Sequence, residues 1–170
     1  MKSDELFPLV DEHGVTIGSA TRKECHSGSM LLHPVVHLHV VTPDNDIYLQ
    51  KRSMSKDIQP GKWDTAVGGH VDFGEAFEDA LKREAFEELG INVTSPQKIE
   101  SYVFQSDVER ELVNVFMIIV NKDTLKVDID PEEIDMGRFW SFAEIEEAIG
   151  TGVLTPNFES EFKRILPLIK

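Results

Sequence analysis

Residues 69–91 read GHVDFGEAFEDALKREAFEELGI, and the rest of the chain is organised around this stretch. Phe77, Ala80, Leu81, Ala85 and Leu89 recur at the spacing of one helical face, and Gly90 supplies a left-handed stop after Leu89. A helix over 76–89 follows. On a wheel turning about 100° per residue with Phe77 at zero, Leu81 falls near ~40°, Glu84 near ~340° and Glu88 near ~20°. Glu87 borders the stripe near ~280°. Two carboxylates therefore sit inside the apolar stripe, where a solvated Glu-rich helix would not put them. Two like charges about 4 Å apart repel by ~4 kcal/mol at an effective dielectric of 20, and desolvation adds to that cost. Arg83 can reach Glu87 four residues on but cannot neutralise three carboxylates. A hard divalent cation, Mg²⁺ or Mn²⁺, is the natural partner for oxygens clustered on one face.

Gly69, Glu75, Arg83-Glu84, Glu87-Glu88 and Gly90-Ile91, with five, seven, two and one intervening residues, resemble the Nudix box of the Nudix hydrolase superfamily. Every fixed polar and glycine position is filled. Ala85 stands where the motif usually carries a larger aliphatic residue, a departure that touches packing more than chemistry. The resemblance implies Mg²⁺ or Mn²⁺ held by Glu84, Glu87 and Glu88 with the Gly69 carbonyl. It also implies that Arg83 fixes the carboxylates and that Glu75 braces Arg83 or holds an outer-shell water. Glu87, or a carboxylate of the loop with Asp130, Glu132 and Glu133, is the candidate general base.

The chain of 170 residues fits one domain with a sizeable core, taken as 1–170 with the first 30 residues as an N-terminal hairpin extension. Neither a signal-peptide core nor an apolar run long enough to span a membrane is present, so a cytoplasmic location is expected. The single cysteine, Cys25, excludes an internal disulfide and suits a reducing compartment. It reads as a small buried hydrophobe before it reads as a nucleophile. A net charge of -14 argues against a nucleic-acid polymer as partner. A small phosphate compound stays compatible, because a bound cation inverts the local charge of an acidic cleft.

Along the chain, Leu6 to Val10 and residues 15–20 flank a turn at 11–14 and predict a hairpin that extends the sheet or forms a dimer contact. Residues 35–41, a turn at 43–46 and residues 47–50 predict a second hairpin with one face buried. His37 and His39 alternate with Val36, Leu38 and Val40 and read as polar strand positions on its other face. Arg52, Lys56 and Lys62 surround Pro60-Gly61 in a loop before a strand over 65–69, where cations can meet phosphate oxygens. Strands over 98–105, 111–120 and 138–140 follow, then helices at 142–149 and after Thr155-Pro156. The fold class expected is α/β, a mixed β-sheet sandwiched between α-helices, which is also the Nudix fold that the resemblance implies.

The likeness reaches beyond the box. The N-terminal hairpin, Lys23-Glu24, His26, His33, the run from Leu49 to Arg52, Lys56 and Pro60-Gly61-Lys62-Trp63 resemble the branch that contains type I isopentenyl-diphosphate isomerase and isomerase-like Nudix hydrolases. Carried over residue by residue, this places a second metal at His26, His33, His70, Glu109 and Glu111, and a diphosphate grip at Lys23, Arg52 and Lys56. Three imidazoles and two carboxylates suit Mn²⁺ or Zn²⁺ better than Mg²⁺. Two departures bear on the reaction. Gly68 stands where the isomerase carries a cysteine, and Asn157, after Thr155-Pro156, stands where it carries a tryptophan.

The leading expectation is a metal-dependent pyrophosphohydrolase acting on a small diphosphate, a nucleoside diphosphate linked to some group X. The alternatives are an isopentenyl-diphosphate isomerase and a diphosphate sensor without turnover. A homodimer is the assembly that the resemblance implies.

Overall fold

The computed structural model describes residues 4–169. Its strands are β1 (Leu6–Val10), β2 (Thr16–Thr21), β3 (Leu32–Val41), β4 (Asp46–Arg52), β5 (Trp63–Thr65), β6 (Val67–His70), β7 (Gln97–Gln105), β8 (Arg110–Ile119) and β9 (Ile134–Ser141). Its helices are α1 (Arg22–Cys25), α2 (Phe77–Leu89), α3 (Phe142–Ala148) and α4 (Pro156–Ile169). A seven-stranded sheet runs β5-β4-β3-β8-β7, with β6 also on β3 and β9 also on β4. The β3–β8 pair is parallel, from Leu32↔Arg110 to Val41↔Ile119, and the other pairs are antiparallel. The sheet is therefore mixed, as the order of elements leads one to expect.

Strand alternation sorts β3 into two faces. Val36, Leu38 and Val40 meet Ala80, Leu81, Ala85 and Leu89 of α2 in one core cluster. On the other side α4 brings Phe158, Phe162 and Ile165 against Val35, Val41, Ile47 and Leu49. Each such side chain taken fully out of water contributes about 1.5–3 kcal/mol. Both faces of β3 are thus covered, which corrects the expectation of a hairpin with one buried face. Its pairing with β4 is confined to Val41↔Ile47 before the two strands diverge.

The β1–β2 hairpin does not extend the main sheet; it forms a two-stranded sheet of its own. Phe7 anchors it, fully buried with Ala20 and Cys25. A four-residue helix, α1, too short to show an apolar period in the sequence, follows β2. It begins at Thr21, whose side chain accepts from the Glu24 amide while Glu24 accepts from the Thr21 amide, a capping box. Cys25 is buried, and burial pushes its thiol up to about 11, which suits a packing role. No helix among the described residues is long and apolar enough to cross a membrane.

Candidate active site

The helix α2 starts where Ala76 leaves extended geometry and ends at Gly90, at φ 66°, whose N–H donates to the Phe86 carbonyl. Ala80, Leu81, Ala85 and Leu89 are fully buried, and Glu84 and Glu88 lie in the same stripe. Glu84 packs over Gly69 so closely that a Cβ on residue 69 would overlap its carboxyl group. Glu88 receives a hydrogen bond from the Gln50 amide at 3.2 Å, and its other oxygen is buried without a partner. Burial raises both carboxyls. For Glu88, raised well above its ordinary value, the charge of Glu84 adds to burial; for Glu84, the neighbouring Glu88 and Arg83 work against it. Two carboxyls held so close without a cation share protons. A divalent cation fits this donor set, because it would restore both charges and satisfy the orphaned Glu88 oxygen.

Arg83 ties the rest together. Its guanidinium donates to both oxygens of Glu75 at 2.9 and 3.0 Å, to Glu84 at 2.8 Å and to the His70 carbonyl at 3.1 Å. Glu87 lies 3.5 Å away and is more than half exposed. Hydrogen bonding from Arg83 holds the Glu75 carboxyl below its usual range, and Glu75 in turn raises Arg83.

A second cluster lies on the opposite face of β6. His26, His33, His70 and Glu111 each offer a ligand atom, all within 4.8 Å of one another. His33 and His70 both place Nε2 3.8 Å from the same Glu111 oxygen. None of the three Nε2 atoms makes a hydrogen bond, although all are buried. Phe7 stacks on His70 at 4.6 Å between ring centroids and on His33 at 5.8 Å, so the N-terminal hairpin forms one wall. The His33 Nδ1 lies 3.0 Å from the Leu31 carbonyl, which fixes its proton there and frees Nε2. Burial lowers all three histidines, which favours the neutral form that binds a metal, while burial and the nearby Glu109 raise Glu111 to about 7. Three convergent imidazoles whose buried Nε2 atoms make no hydrogen bond, beside a carboxylate, fit a transition-metal ion. Glu109 stands outside this group and faces His26, with Oε2 3.1 Å from its Nε2.

The basic residues are engaged separately. Arg52 donates to the Ile58 carbonyl at 3.0 Å and approaches Asp64 at 3.5 Å. Lys56 pairs with Glu133, which joins a candidate phosphate ligand to the acidic loop. Lys23 is exposed on α1. His37 and His39 are not solvent-facing strand positions. They share Glu161 of α4, at 2.7 and 2.5 Å, because α4 covers that face. Glu161 was missed in the sequence, although it falls within the apolar stripe of Phe158, Phe162 and Ile165, the same signal that marks Glu84 and Glu88.

A family model described as NUDIX domain matches residues 31–159. An isopentenyl-diphosphate Delta-isomerase of Photorhabdus laumondii is 31% identical over 171 residues, covering 95% of each chain. An uncharacterized Nudix hydrolase of Nostoc is 38% identical over 93 residues, 55% of each chain. A crystal structure from Deinococcus radiodurans superposes with a TM-score of 0.77 at 23% identity, over 94% of this chain and 98% of that one, and shows a shared fold. With this match spanning the sheet and the carboxylate helix, the chain belongs to the NUDIX domain family, as one of its hydrolases with isomerases among its relatives.

Proposed function

We propose that this Nudix protein cleaves the diphosphate bond of a nucleoside diphosphate linked to a group X, using Mg²⁺ or Mn²⁺. The observation that carries this is the buried Glu84–Glu88 pair over Gly69, with one Glu88 oxygen left without a partner. Glu84, Glu88, the exposed Glu87 and the Gly69 carbonyl would hold the cation. When bound, the cation neutralises phosphate oxygens and activates water for in-line attack.

The chain's own residues supply the rest. Arg83 fixes Glu84 by a charge-assisted hydrogen bond and is itself held by both oxygens of Glu75, so the carboxylates are ordered before substrate arrives. Glu87, more than half exposed and 3.5 Å from Arg83, would accept a proton from the attacking water. Glu133 of the acidic loop pairs with Lys56, and a carboxylate of that loop is the alternative base. Arg52 and Lys56 lie on the strand and loop that lead toward β5 and would meet phosphate oxygens. His26, His33, His70 and Glu111 would hold a second, softer ion beyond β6.

The isomerase is the second reading, favoured by the extent of the match to the Photorhabdus protein. Exposed Gly68 and Asn157 speak against it, since neither can supply an acid or an aromatic ring at those positions. The test is a panel of nucleoside diphosphates, dinucleotides, nucleotide sugars and isopentenyl diphosphate, with Mg²⁺ and then Mn²⁺. Release of a nucleoside monophosphate that depends on Glu88 is expected. Conversion of isopentenyl diphosphate to its dimethylallyl isomer, without hydrolysis of any compound, would overturn the reading.

A further inference from the structure

The face of the sheet beneath α4 carries a buried network that the carboxylate helix does not use. Glu161 is 1% exposed. Its Oε1 receives the Tyr102 hydroxyl at 2.5 Å and the His37 Nδ1 at 2.7 Å, and its Oε2 receives the His39 Nε2 at 2.5 Å. Burial by itself would raise the Glu161 carboxyl, but His37 and His39 pull it well below the usual range. Burial likewise opposes a charge on His37, yet the charge and hydrogen bond of Glu161 outweigh it and raise the imidazole to about 9. Asp64 on β5 and Glu111 on β8 act in the same direction.

Fixed on one side, His37 is open on the other. A quarter of its side chain is accessible, and no described residue hydrogen-bonds to its Nε2. Its register partner in β6 is Gly68, which is exposed. A Cβ on residue 68 would stand 3.4 Å from the His37 Cδ2 and 3.7 Å from Nε2. The Nε2 edge therefore looks across a gap that a side chain at 68 would fill. The backbone of Gly68 also interacts with the Glu88 carboxyl, so residue 68 itself borders both this gap and the carboxylate site.

We propose that His37 contacts the substrate through Nε2 in the gap beside Gly68 and selects a hydroxylated group X, such as a sugar, over an alkenyl one. This rests on the diphosphate-hydrolase reading above. A hydroxyl both donates and accepts, so it satisfies Nε2 whichever protonation state the ring is in. An alkenyl chain in the same gap takes Nε2 out of water and gives it no partner, which is where sites built on hydrogen bonds discriminate most. Glu161 is then a positioning residue, and Tyr102 and His39 hold it in place.

The test compares a nucleoside diphosphate sugar with the ester of the same nucleoside diphosphate and an alkenyl alcohol of similar length. Wild-type protein is expected to favour the sugar by ~10-fold or more in kcat/KM. His37→Leu is expected to remove most of that preference through KM, with the alkenyl compound little changed, and His37→Gln to keep part of it. Gly68→Leu, which fills the gap, is expected to weaken both compounds, because both enter it. An equal or reversed preference in the wild type, the same preference in wild type and His37→Leu, or a Gly68→Leu variant as active on both compounds as wild type, would overturn the proposal. If neither compound is hydrolysed, the panel above decides the hydrolase reading, and calorimetric binding of the two compounds in Mg²⁺ decides the role of His37. Tighter binding of the sugar that His37→Leu abolishes supports it, and equal binding overturns it.

Discussion

Gly69 and His70 are neighbours in β6 and open onto opposite faces of the sheet. Gly69 leaves room for the Glu84 carboxyl of α2, while His70 joins His26, His33 and Glu111 on the far side. Both sites gather unpartnered polar atoms in buried surroundings, but they do so with different chemistry. The helix side offers carboxylate oxygens that repel one another and suit a hard cation. The hairpin side offers imidazoles, two of them stacked on Phe7, and suits a softer one. Alternation along a single strand is enough to keep two such centres apart.

The largest effect is expected on the helix side. Glu88→Gln should lower metal-dependent hydrolysis on the order of 10³-fold, or ~4 kcal/mol of barrier. The same substitution should raise the melting temperature in chelator, because it relieves the repulsion from Glu84 and its desolvation. A fall in both activity and stability would mean that Glu88 is chiefly structural. Arg83→Ala is next. Loss of the brace on Glu84 and Glu75 should weaken metal affinity ~10- to 100-fold, measured as the Mg²⁺ concentration for half-maximal rate.

On the hairpin side, saturating Mn²⁺ or Zn²⁺ at about 100 times its Kd adds ~2.7 kcal/mol. For a chain of this size that raises the melting temperature by roughly 5–10 °C. His33→Ala should abolish this shift and leave Mg²⁺-dependent hydrolysis largely intact; loss of both together would show the two centres to be one. The smallest effect concerns pH. His37 is raised from 6.5 to about 9 and Glu161 is lowered well below 4.5. The folded state therefore holds the His37 proton more tightly than the unfolded chain, so that contribution is complete below 6.5 and fades as pH rises through 9. Glu161 contributes above 4.5 and is lost only in acid. Thermal melts of Glu161→Gln should be flatter than wild type between pH 6.5 and 9, and an unchanged slope would separate this pair from stability.

The helix with two misplaced carboxylates was legible because its evidence is local: Glu84 and Glu88 interrupt a stripe whose period is visible within one stretch. The mixed α/β sheet was legible for a similar reason, since β-branched runs and turn residues mark most of its strands. What the far side of the sheet holds was harder to read. His37 and His39 alternate like solvent-facing residues, and only the docking of α4, more than a hundred residues later, buries them on Glu161. The place of the N-terminal hairpin was likewise hidden, because the stacking of Phe7 on His70 joins distant parts of the chain. Glu161 carries the same local signal in α4 that Glu84 and Glu88 carry in α2, a carboxylate at the spacing of buried apolar residues.

The most direct measurement is the product formed from a nucleoside diphosphate linked to X in Mg²⁺, for wild type and Glu88→Gln side by side. Nucleoside monophosphate from the wild type, reduced on the order of 10³-fold in a folded Glu88→Gln protein, is expected. Equal release by the two proteins, or none from the wild type while isopentenyl diphosphate is isomerised, would contradict the assignment of the α2 carboxylates to pyrophosphate cleavage.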